Sequence, residues 1–148
     1  MGRIYQSSET ISLKAAPQKV FSLLTNWEQR QRACPGVKLN WEGKPEAFLH
    51  QKVRFRKSAL AHWTIQVTGL EPGRRMFFEY VEGPLRGRAA VETIPEEGGS
   101  KATFYWMKVE PHGLVSRLYF AIGLGYREHA KGMFETLGAI KEYLEKNP

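Results

Sequence analysis

RLYFAIGLGYREH, Arg117 to His129, admits four readings: a membrane anchor, a phosphate loop, plain core, or the wall of a binding cavity. Its apolar centre, LYFAIGLG, falls far short of the roughly 18 uninterrupted apolar residues of a membrane span. Gly123-Leu124-Gly125 is only a fragment of a dinucleotide loop, because Glu128 stands where the third glycine belongs and no parallel βαβ unit surrounds it. Core and cavity wall remain.

Downstream, Tyr126, Ala130, Met133, Leu137, Ile140 and Leu144 recur at three and four, while Arg127, Glu128, Lys131, Glu135, Lys141 and Glu142 lie off that stripe. The spacing predicts one long helix, or two joined, from about Leu114 to Lys146. At about 1.5 Å per residue such a segment spans about 45 Å and must lie across the rest of the fold. Glycine costs about 1 kcal/mol relative to alanine inside a helix. Gly123 and Gly125 therefore mark a kink, or make room for a guest or a close strand. Leucine at either position is expected to leave the fold largely intact while reducing uptake of a guest.

Upstream, IYQSSETISLK ends in strand alternation, with Ile11 and Leu13 on one face. Pro17 suits the first residue of a helix over PQKVFSLLTN. Asn26 caps a second helix, WEQRQRA, which stops at Cys34 before Pro35 and Gly36. From Val37 to Glu110 the pattern is almost wholly strands: VKLNWEG, HQKVRFRK, HWTIQVTGLE, RMFFEYVEGP, GPLRGRAAVETI and KATFYWMKVEP. The short turns between them imply an antiparallel meander.

The 148 residues suit one ordinary domain whose core needs no staple, and the lone Cys34 excludes an internal disulfide and a four-cysteine zinc site. A reducing cytoplasm is the simplest setting. MGRIYQSSET has no apolar run behind its arginine, so no signal peptide is expected. The net charge of +7 permits peripheral contact with anionic membrane or nucleic acid, the latter less favoured because the basic residues are spread along the chain. Pairs such as Arg30 and Arg32 read as solvated surface, as do Lys52, Arg54 and Arg56 on one strand face.

Strand, two short helices, six strands and a long C-terminal helix form an order that resembles the helix-grip fold of the START-like, Bet v 1-like (SRPBCC) superfamily, especially its polyketide cyclase/dehydrase and lipid-transport branch. SLKAAPQKVFSLLTN, CPGV and VETIPEEGGSKATF carry the resemblance, which covers nearly the whole chain. It implies an α+β domain over residues 1–148, with a curved seven-stranded antiparallel sheet wrapped round the long helix and an apolar cavity between them.

Strand parity places Trp41, Phe55, Trp63, Ile65, Phe78, Tyr80 and Val91 on the inner face, with Phe104 and Trp106 on the last strand. Tyr105 and Met107 are apolar too, which leaves that strand's parity open. Ile122, Tyr126, His129 and Met133 complete the candidate ligand-binding set from the helix. His129 is either a polar anchor or acid/base in the cavity, or a half-exposed helix histidine bonded to solvent or a neighbour. No metal is expected, since His50, His62, His112 and His129 are dispersed and Glu128-His129 lacks the second histidine of HExxH. No cofactor is expected either, and no nucleophile elbow surrounds Ser58 or Ser116. Glu79 and Glu92 are expected to face outward.

Three functions stay open. The first is binding or transport of a small hydrophobic molecule: a lipid, a quinone, or an aromatic or polyketide-like metabolite. The second is a cyclase/dehydratase acting through Tyr80 and His129 on a ligand in the same cavity; the third is a basic-surface binder of anionic membrane or nucleic acid. No inward cluster of Arg, His, Asp and Ser is apparent, which favours binding over catalysis. Catalytic residues, ligand identity and oligomeric state are left unassigned.

Overall fold

The computed structural model describes residues 4–59 and 61–147, so the leader reading at residues 1–3 lies outside the described residues. Strand β1 (Tyr5–Leu13) runs into helices α1 (Pro17–Thr25) and α2 (Trp27–Ala33). Next come β2 (Lys38–Trp41), β3 (Lys52–Arg56), β4 (His62–Glu71), β5 (Arg75–Glu82), β6 (Leu85–Glu96) and β7 (Gly99–Pro111). Helices α3 (Leu114–Ala121) and α4 (Leu124–Lys146) close the chain. All seven strands pair antiparallel in one curved sheet, ordered β1-β7-β6-β5-β4-β3-β2, the expected helix-grip arrangement.

The local signals act as anticipated. Pro17 stands at the start of α1, and the Asn26 side chain accepts from Gln29 N–H at 3.1 Å to cap α2. On β3, Val53 and Phe55 are buried while Lys52, Arg54 and Arg56 are exposed, so the basic strip faces away from the core. The parity of β7 is settled by a register irregularity opposite Arg88 and Ala89. Ala89 pairs with Trp106 and Arg88 with Lys108, which leaves Met107 unpaired and exposed while Phe104, Trp106 and Val109 all point inward.

One apolar core joins Val20, Leu24 and Trp27 from α1 and α2 to Val53, Val67, Met76 and Val91 from the sheet and Leu137 and Ile140 from α4. Trp27 is fully buried and donates its indole N–H to Gln51 Oε1 at 2.8 Å. Gln51 Nε2 in turn donates to the carbonyls of Glu42 and Lys44, which pins the β2–β3 connection over the core.

The C-terminal segment is two helices, and the reason lies at Gly123. Its φ of 85°, a left-handed conformation, ends the α3 path and makes it the N-cap of α4. A Cβ there would meet nothing within 4 Å, so the position requires conformation rather than space. Gly125 is the opposite case: a Cβ would stand 2.3 Å from the Phe120 ring, which packs directly on the helix backbone. The room it makes is taken by Phe120 and not by a guest. Leucine at either glycine therefore disturbs the α3–α4 corner, contrary to the expectation from sequence. The break also turns Ile122 out: it is 71% exposed and borders none of the interior spaces, so its assignment as a cavity residue is corrected.

Helix α4, 23 residues and about 35 Å long, buries its stripe unevenly. Leu137, Ile140 and Leu144 are fully enclosed, whereas Tyr126, Ala130 and Met133 are only half-buried. The C-terminal half of the helix thus seals the core, and its N-terminal half borders open space. Among the described residues no helix is long and apolar enough to cross a membrane.

Candidate functional site

Among the described residues, three spaces between the sheet and α4 stand out. The largest, about 680 Å3, opens between the β5–β6 turn and α3, and is bounded by Trp63, Tyr80, Leu85, Trp106, Phe120 and His129. A second, about 250 Å3, opens between α2, β2 and the middle of α4, beside Arg30, Val37, Leu39, Phe55 and Thr136. An inner chamber of about 30 Å3 is walled by Arg30, Phe55, Ile65, Phe78, Tyr80 and Phe104. Trp63 and Met133 border all three. The sizes of the outer spaces fall near the range of small-molecule sites, and the walls have the expected mix of apolar surface and few polar groups.

Helix α3 forms the rim of the large space. Ser116 Oγ donates to Pro84 O at 2.7 Å and the Tyr5 hydroxyl donates to Phe120 O at 3.2 Å, tying both ends of the helix to the sheet. Its outer surface is apolar, with Leu114 74% and Val115 80% exposed.

Of the candidate residues, Phe55, Trp63, Ile65, Phe78, Tyr80, Phe104, Trp106, His129 and Met133 line these interior spaces. Val91 is wholly enclosed and acts as core filler, packed between Met76 and Phe104 on the neighbouring strands. Trp41, at the end of the short edge strand β2, packs half-buried against the core and borders none of the spaces. Tyr126 looks to a separate surface hollow shared with Tyr5 and Phe120. Glu92 faces outward, bonded to Arg75 and accepting from the Tyr105 hydroxyl at 3.1 Å.

His129 belongs to the cavity wall. Its ring stacks on Trp106 with centroids 3.3 Å apart, and Nε2 lies 3.0 Å from Ser7 Oγ. Burial pushes its pKa down to about 4, so the imidazole is neutral at pH 7 and hydrogen-bonds without carrying charge. Tyr80 receives the Trp106 indole N–H at 3.0 Å, and burial pushes its hydroxyl up to about 12. Tyr80 therefore remains a proton donor at any ordinary pH.

Arg30, expected from sequence to be solvated surface, is turned inward by the docking of α2. It is only 8% exposed, and Trp27, Arg30 and Ala33 are the three buried residues of α2. The guanidinium carbon stands 5.1 Å from the Phe55 ring centroid, 5.5 Å from Phe104 and 5.9 Å from Trp27. Its hydrogen bond is from Nη1 to Leu24 O at 3.3 Å, and no carboxylate lies within ion-pair distance among the described residues. The signal was present in WEQRQRA: Trp27, Arg30 and Ala33 recur at three, on one helical face. Among the described residues no group of His, Cys, Asp and Glu is arranged to hold a metal.

Residues 6–141, the span from β1 into the last turns of α4, match the family described as polyketide cyclase / dehydrase and lipid transport. The chain belongs to this family. The polyketide cyclase/dehydrase and lipid-transport family lies within the SRPBCC, Bet v 1-like superfamily, and solved structures share the fold. An uncharacterized protein from Rhizobium leguminosarum superposes with a TM-score of 0.70 at 15% identity, over 99% of this chain and 97% of that one. Ara h 8.0201 gives 0.71 at 11% identity, covering 97% and 99%. DynU16, a protein of the dynemicin biosynthetic locus, gives 0.70 at 15% identity, covering 96% of this chain and 48% of that one. No curated protein matches the sequence. The family match gives the chain's membership, and the neighbours share its fold.

Proposed function

We propose that the protein, as one ligand-binding domain, binds or carries a small hydrophobic molecule in the space between the sheet and α4. The observation that carries this reading is the space of about 680 Å3 walled by Trp63, Trp106, Phe120 and Met133, with His129 and the Tyr80 hydroxyl as sparse polar points. Large aromatic rings at such a wall offer flat apolar contact to a greasy guest, and the Tyr80 hydroxyl offers it a proton donor. Native mass spectrometry of gently purified protein tests it: a stoichiometric adduct that leaves on denaturation supports the reading. Bare protein that also fails to take up lipids, quinones or aromatic compounds argues against it.

A second reading uses the same space for cyclase/dehydratase chemistry. It is supported by Tyr80, a hydroxyl kept protonated by burial, at the junction of the large space and the inner chamber. Holding a reactive chain in one conformation beside one proton donor is enough for catalysis by positioning. Turnover of an aromatic poly-β-keto precursor that is lost in Tyr80→Phe would favour this reading over simple carriage.

A further inference from the structure

Arg30 is a charge in the wrong place for a protein that only encloses grease. Burying an ion without a counter-ion is expensive, and a guanidinium offers five N–H donors in a fixed fork. Here one of them meets Leu24 O. No buried side-chain nitrogen among the described residues lacks a partner, so the donors that meet no protein atom front the open space that Arg30 lines. The three surrounding rings offset part of the charge through their π faces, but they accept no hydrogen bond in the guanidinium plane.

The nearby carboxylates are engaged elsewhere. Glu135 borders the same 250 Å3 space but pairs with Lys57 at 3.9 Å on the surface, and Glu128 sits exposed at the rim of the large space. Tyr80 lines the inner chamber together with Arg30, and its protonated hydroxyl is a second donor beside that apolar enclosure.

We infer that the occupant of the cavity, if the ligand-binding reading holds, is an organic monoanion: an apolar body ending in a carboxylate or an enolate-type oxygen that docks on Arg30 and Tyr80. The inner chamber, about 30 Å3, has room for about two water-sized groups, which suits the oxygens of a carboxylate better than a phosphate. The apolar body then extends past Trp63 and Met133 into the larger spaces. Burial lowers the Arg30 pKa from its ordinary value, and a guanidinium is the cation that an acid would meet at any ordinary pH.

The test is calorimetric titration with matched pairs, 2-naphthoic acid against 2-naphthalenemethanol and decanoic acid against decanol, into the wild type and Arg30→Met. The wild type is expected to prefer at least one acid over its alcohol by about tenfold or more, the scale of one charge-assisted hydrogen bond. Arg30→Met, confirmed as folded by near-ultraviolet circular dichroism, is expected to lose that preference while retaining the alcohol. Alcohols that bind as well as or better than the acids in the wild type overturn the inference and leave the cavity reading standing, without need of any variant. An acid preference that survives in Arg30→Met also overturns it. If no member of either pair binds, the inference falls, and the cavity reading is decided separately by the native mass spectrum and the wider panel.

Discussion

The indole Nε1 of Trp106 donates to the Tyr80 hydroxyl at 3.0 Å, and the face of the same indole stacks on His129. One side chain of β7 thereby orients the polar group at the inner end of the large space and the one on its helical wall. Removing the acceptor in Tyr80→Phe leaves a buried N–H unmatched, with a loss of about 1 to 3 kcal/mol in urea unfolding. A double-mutant cycle with Trp106→Phe is expected to give a coupling of at least about 0.5 kcal/mol. Additive effects would show that the two side chains act separately.

His129 predicts a pH dependence of stability. Its folded pKa, about 4, lies below the ordinary 6.5, so the unfolded chain binds more protons between those values. Its contribution is complete above about pH 6.5 and declines as pH falls toward 4, by at most about 3 kcal/mol, less for a ring that is only half-buried. Thermal melts of the wild type and His129→Gln across this window check it. The wild type is expected to lose more stability on acidification than the variant, and parallel curves would contradict the burial argument.

At the α3–α4 corner, the two glycines are expected to fail for different reasons. Gly125→Ala drives a methyl into the Phe120 ring and is expected to cost about 1 to 3 kcal/mol, largely recovered in Gly125→Ala with Phe120→Leu. Gly123→Ala meets no atom and costs about 1 to 2 kcal/mol through its left-handed backbone alone, with no rescue by Phe120→Leu. Chemical denaturation of the four variants separates steric from conformational strain.

Arg30 implies a trade between stability and recognition. Exchanging a buried, unpaired cation for an apolar side chain of similar length is often neutral or stabilising, by up to about 4 kcal/mol. Arg30→Met is therefore expected to melt at or above the wild-type temperature without ligand. A marked drop would mean that contacts with Phe55, Phe104 and Trp27 hold the fold.

Much of this architecture is legible in the sequence because one-sided burial imposes a period. Val53 and Phe55 alternate with Lys52, Arg54 and Arg56, and Leu137, Ile140 and Leu144 fall on one helical stripe. The candidate wall was readable wherever alternation is unbroken. It was not readable at β7, where Met107 bulges out and shifts the parity of the residues after it, nor at Ile122, where one left-handed glycine ends a helix that periodicity would continue. Arg30 escaped notice for another reason. Arg30 and Arg32 look alike in composition, and only the docking of α2 on Trp27 sends one inward while the other pairs with Glu28 on the surface.

Gly132 provides the most direct test of the central claim. It borders both larger spaces from the interior of α4, and a Cβ there meets nothing within 4 Å. Gly132→Leu therefore meets no clash at Cβ, directs its side chain towards the two spaces and should gain about 0.8 kcal/mol of helix propensity. The decisive measurement is the melting-temperature rise produced by an apolar ligand panel in the wild type and in this variant. If the space between the sheet and α4 is the binding site, ligands raise the wild-type melting temperature with concentration and leave Gly132→Leu, already more stable, nearly unmoved. Equal rises in both proteins, or no rise in the wild type with any compound, would contradict the account.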